Sequence, residues 1–125
     1  MTKQIYTFGY IGKDPEKLKE AVEALGGYLF DIRFSPKSRS PKWCKKALSE
    51  LLGQRYVHIK ALGNQNYNNG GPISILDFEA GKLAIDKLAG PVVLMCACKD
   101  PEDCHRSVVG EQLYYMGYMV QELHI

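Results

Sequence analysis

Three cysteines, a histidine and an arginine fall within residues 96–106: Cys96, Cys98, Cys104, His105 and Arg106. Those residue types in that order suit thiol chemistry. A cysteine at a helix entrance beside an imidazole and a guanidinium has a lowered pKa and reacts as the thiolate. Cys104 is the first candidate nucleophile because it sits where the final helix begins. Cys96 is the second, and as the end of an apolar run it is expected to be buried. His105 is the candidate acid or base, and the Cys98-x5-Cys104 spacing would supply a resolving thiol. Against this, Asp100, Glu102 and Asp103 share the loop and oppose a thiolate or an incoming anion. No arginine follows any cysteine after five intervening residues, so the phosphate cradle of phosphatases and sulfurtransferases is absent.

Two other chemistries use the same stretch. Cys96, Cys98, Cys104 and His105 are zinc-ligand types, but no second Cys-x2-Cys or His-x3-His half completes the set, and adjacent residues 104 and 105 diverge by about 100° on a helix. No metal ligand is assigned on this basis, and no cofactor follows from the sequence. The broader reading is an anion or nucleotide pocket without covalent chemistry. Arg33, Arg39 and Arg106 would grip the ligand, since a planar guanidinium binds phosphate, sulfate or carboxylate through two hydrogen bonds. Ser35, Asn64 and Tyr10 would join them from neighbouring loops. Nucleic acid is a subset of this reading, permitted by the basic loop 33–42 with Trp43 beyond it. The formal charge of +2 and the acidic flank of the cysteine loop weigh against a long duplex footprint.

These residues need elements to position them. Val92 to Met95 is a continuous apolar run, the pattern of a strand buried on both faces. Ile5–Gly9, Tyr28–Ile32 and Tyr56–Lys60 read as earlier strands, and Tyr118–Ile125 as a last one. Asp14-Pro15 caps a first helix whose apolar face is Leu18, Ala21, Val22 and Leu25, and Gly26-Gly27 ends it. Ser40-Pro41 starts a second helix with Trp43, Ala47, Leu48, Leu51 and Leu52 on its stripe. Ser74 caps a third, with Leu76, Leu83 and Ile85 among its buried residues. Val108, Val109, Leu113 and Met116 face the core from the fourth. His58 and Trp43 read as packing residues, and Asp31 and Arg33, two apart on a strand, share a face and can pair. The amide- and glycine-rich loop 65–72 cannot bury a core.

Strand and helix thus alternate to a closing strand. This predicts an α/β fold of three layers, αβα, with about five mostly parallel strands and helices on both faces. The loops after Gly9, Arg33, Leu62 and Cys96 then share the C-terminal edge of the sheet, where open α/β sheets bind ligands. With 125 residues, 46% hydrophobic and 24% charged, the chain has the composition of one soluble domain, residues 1–125. No membrane partner is expected. The start of the chain has no signal-peptide pattern, so a cytoplasmic protein with free thiols is expected.

Several of these loop ends carry a resemblance. Thr7-Phe8-Gly9-Tyr10, Asp31-Ile32-Arg33 with Ser35-Pro36-x-Ser38, Ala61-Leu62-Gly63, Leu94-Met95-Cys96 and Cys104-His105-Arg106 follow one another along nearly the whole chain. In these marks the chain resembles the domain-of-unknown-function 488 family. That family often carries an acidic residue soon after the Leu-Met-Cys strand, where this chain has Cys98. The resemblance implies an α/β fold and draws attention to the same loop-end residues. It implies no activity.

Overall fold

The apolar run that begins at Val92 becomes the middle strand of the molecule. In the computed structural model, which describes residues 3–36, 38–66, 72–97 and 105–125, Val92–Cys96 (β4) is buried along its whole length. It is flanked by Tyr28–Asp31 (β2) on one side and Gln4–Gly9 (β1) on the other, with Tyr56–His58 (β3) and Met119–Glu122 (β5) at the edges. The order is β3-β2-β4-β1-β5 and every pairing is parallel. A strand with parallel neighbours and helices above and below meets no water, so nothing but apolar residues can fill it.

Alternation along the strands divides the core in two. Ile5, Phe30, Val92, Leu94 and Cys96 face one side, where Ile85, Val109 and Leu113 pack on them. Those three come from Phe78–Asp86 (α3) and His105–Tyr115 (α4). Phe8, Leu29, Val93 and Met95 face the other side, against Leu18, Val22, Leu48 and Leu52. These belong to Pro15–Leu25 (α1) and Lys45–Leu52 (α2). The expected αβα layering is the observed one. Each of these fully buried aliphatic side chains contributes about 1.5–3 kcal/mol.

Local chemistry sets most boundaries. The Asp14 carboxylate accepts from the Glu16 N–H, Pro15 opens α1, and Gly26 closes it at φ +64. The second helix begins later than the Ser40-Pro41 signal predicts. Pro41–Trp43 forms a 3-10 turn, Cys44 is extended, and α2 starts at Lys45 with no side-chain cap. Asp77, not Ser74, caps the third helix, accepting from the Ala80 N–H. Ser74 is held in an extended pairing instead, its N–H donating to the Asn64 side chain and its hydroxyl accepting from Gln65. Leu76 therefore precedes the helix and is exposed, and Leu83, on the side opposite Gly81 and Ile85, is exposed too. Met116, expected in the core, follows the last residue of α4 and is exposed. The outer strands are shorter than predicted: β3 stops at His58 before a 3-10 turn, and β5 pairs only with Gln4–Thr7.

Candidate functional site

At the C-terminal end of β2 the chain turns polar, and alternation points Asp31 and Arg33 to the α1/α2 side. Both are buried, with side-chain exposures of 0% and 6%. Arg33 donates from Nε to Asp31 Oδ1 at 2.7 Å and from Nη2 to Oδ2 at 2.5 Å. The Tyr56 hydroxyl donates to Oδ2 at 2.5 Å from β3. Burial opposes the charge of Arg33, but the hydrogen bonds and charge of Asp31 outweigh it and raise the guanidinium pKa. Burial pushes the Tyr56 phenol well above its ordinary value, and the Asp31 hydrogen bond adds to this. Tyr56 thus stays protonated as a donor. Arg33 Nη1 is buried with no hydrogen-bond partner among the described residues. A buried donor without an acceptor costs about 1–3 kcal/mol, so it calls for a ligand or a functional reason.

The Arg33 guanidinium lies over the Tyr10 ring, 5.3 Å from its centroid, and Tyr10 stacks on Trp43 at 4.8 Å. That stack forms part of the floor of an open cleft of about 690 Å³. One wall is the turn Ile11-Gly12-Lys13 between β1 and α1, where Gly12 takes φ +79, a conformation other residues rarely adopt. The opposite wall is Ser38, Arg39, Ser40 and Lys42. Among the described residues the lining therefore holds three cations and two serine hydroxyls, and no carboxylate. This arrangement can hold an oxyanion.

The other sequence-predicted residues lie elsewhere. Arg106 is 1% exposed and sits on the α3/α4 side of the sheet, donating to Cys96 Sγ at 3.3 Å and to Glu122 at 3.2 Å. Thr7 donates to the other oxygen of Glu122. Arg33 and Arg106 are thus on opposite faces of the sheet, and the cleft lining among the described residues includes neither. Asn64 is turned inward on its own loop, its side-chain oxygen accepting from the Asn66 and Ser74 N–H groups. Ser35 is half-buried and does not line the cleft. Tyr10 and Arg39 are the two predicted ligand residues that the cleft brings together.

His105 donates from Nε2 to the Ile32 carbonyl at 2.7 Å, which fixes the proton on that nitrogen. Burial lowers its pKa, and the Arg106 charge lowers it further against the raising effect of that carbonyl. His58 likewise donates to the Arg33 carbonyl at 2.8 Å, the packing role expected for it. Cys96 is 1% exposed and disulfide-bonded, whereas a free thiol was expected. Cys98 and Cys104 lie outside the described residues. Among the described residues, no group of three or more His, Cys, Asp or Glu is placed to hold a metal ion, and no helix is long and apolar enough to cross a membrane.

Sequence reasoning reached Lys42 as one cation of the basic loop 33–42, but did not single out Lys13, Ser38 or Ser40 as ligand residues, nor Tyr56 and Glu122 as partners of the buried ions. The signal for the first group was present in part, in the glycine-flanked turn after the first strand and the run of cations after Arg33. Nothing in the sequence joins those two stretches, because β4 inserts between their strands. For Tyr56 and Glu122 there was no local signal.

No curated protein and no solved structure matches the chain. A family model does. Residues 77–113 run from the cap of α3 through β4 to the last buried leucine of α4. That stretch matches the model described as Domain of unknown function DUF488, the family the sequence resembles.

Proposed function

We propose that this protein binds an anionic small molecule, or the phosphate of a nucleotide, in the cleft between the β1–α1 turn and residues 38–43. The observation that carries this reading is the lining itself: Lys13, Arg39 and Lys42 with two serine hydroxyls and, among the described residues, no acid. Cations held in a concave, partly apolar site favour phosphate, sulfate or carboxylate over neutral ligands. Arg33, paired with Asp31, lies over the Tyr10 ring behind the cleft and holds that part of its floor in place.

Titration with inorganic phosphate or sulfate, followed by amide resonances, tests the reading. Shifts confined to residues 11–13 and 38–43, weakened by Lys13→Ala and by Arg39→Ala, are expected. The absence of any shift, or shifts indifferent to both substitutions, would count against the cleft.

A further inference from the structure

The formal charge of +2 hides a strong separation. Residues 32–60 carry eight Lys and Arg against Glu50 alone, a net +7, which leaves −5 for the rest of the chain. Two of those eight are spoken for inside the fold: Arg33 is paired with Asp31, and Arg55 donates to the Gly27 carbonyl. Lys60 lies over the Phe34 ring. By contrast, Arg39, Lys42, Lys45 and Lys46 are exposed, as is Lys13 across the cleft. None of these five is joined to a carboxylate by an ion pair among the described residues. Lys45 and Lys46 also occupy the first turn of α2, where the helix macrodipole disfavours cations and no acid compensates them. Five exposed cations without an ion pair among the described residues, two of them at an unfavourable helix end, are more than one small anion can use.

Building on the anion-cleft reading, we propose that Lys13, Arg39, Lys42, Lys45 and Lys46 form a surface for the phosphodiester backbone of a nucleic acid, with one phosphate seated in the cleft. The backbone, not the bases, is the recognised part. Tyr10 and Trp43 stack on each other and are 6% and 2% exposed, so neither offers a free ring face to a base. An anionic membrane fits less well. Of the large exposed apolar side chains among the described residues, Ile11 alone borders the cleft, while Leu83, Tyr114, Tyr115, Met116 and Met119 belong to the α3/α4 layer and the β5 edge. Surface-bound helices hold membranes with apolar side chains interleaved among their cations.

Fluorescence anisotropy with labelled duplex DNA, duplex RNA and single-stranded DNA of about 20 nucleotides, in about 50 and 200 mM salt, tests the proposal. The expected result is binding indifferent to base sequence. With about three phosphate contacts it weakens roughly 40-fold between the two salt concentrations. Comparison of the probes decides whether DNA or RNA is the better source. Lys45→Glu with Lys46→Glu, outside the cleft lining, should weaken binding at least about tenfold and reduce the salt slope by about two. Circular dichroism confirms that this variant folds.

Indifference of binding to the double substitution would overturn the proposal, as would tighter binding to phosphatidylserine vesicles than to any nucleic acid. No binding at the lower salt would also overturn it. If inorganic phosphate still shifts the cleft resonances in that case, the nucleic-acid surface alone is wrong. If phosphate fails too, the cleft reading falls with it.

Discussion

Arg33 and Asp31 meet fork to fork at the end of β2, two parallel hydrogen bonds at 2.7 and 2.5 Å between side chains almost without solvent. Removing one member of such a pair strands the other charge. Asp31→Asn should destabilise the fold by about 3–5 kcal/mol. Arg33→Lys should lose a good part of that, because an ammonium cannot span both carboxylate oxygens. Urea unfolding of both variants measures it; a change under about 1 kcal/mol for Asp31→Asn would mean that the pair is neutralised in the fold.

Tyr56 supplies the third hydrogen bond to Asp31. Tyr56→Phe keeps the ring and deletes the donor to a charged acceptor. A loss of about 1.5–3 kcal/mol is expected. In a double-mutant cycle with Asp31→Asn the two losses should not add, since both act on one carboxylate. Simple additivity would show that the hydroxyl acts elsewhere.

His105 makes stability depend on pH. Burial, chiefly, lowers its pKa in the folded protein, while the unfolded chain takes up the proton near about 6.5. The folded state therefore binds fewer protons than the unfolded one. The stabilisation is fully present above that value and is lost as pH falls through the lower folded pKa. Thermal melts from about pH 7.5 down to 5 should show a falling Tm, and His105→Gln should flatten part of that fall. Parallel curves for the two proteins would remove His105 as the source.

Gly63 is fixed by contact, not by its dihedral angles. A Cβ there would lie 2.7 Å from Phe34 Cα and 2.8 Å from Phe34 N, backbone atoms just beyond Arg33. Gly63→Ala must push the β2 loop away, at a cost of about 1–3 kcal/mol or more. A Gly12→Ala substitution meets no atom within 4 Å, so it should lose only the positive-φ strain, about 1–2 kcal/mol. The denaturation midpoints measure both losses; a Gly63→Ala midpoint equal to that of the unsubstituted protein would contradict the contact at Phe34.

Much of this molecule was written in local pattern. The run Val92 to Met95 had to become an interior strand, because unbroken apolar residues can only be satisfied with both faces covered. Asp14-Pro15 and Gly26 delimited the first helix, since capping and the left-handed turn are decided within a few residues. The two-residue spacing of Asp31 and Arg33 implied a shared face, and the pair is there.

Tertiary structure decided what meets what. Sequence order cannot show that β4 inserts between β1 and β2, nor that Arg33, beyond β2, and Arg106, on α4, lie on opposite sides of the sheet. A strand's period of two sends Met95 toward Arg33's side and Cys96 toward Arg106, which sets the two arginines on opposite sides of the sheet. The cleft itself joins Lys13 to Arg39 and Lys42 across chain segments some two dozen residues apart. Only packing brings such segments together, because each buries its own apolar side chains, Leu18 on one and Trp43 on the other, in the same core.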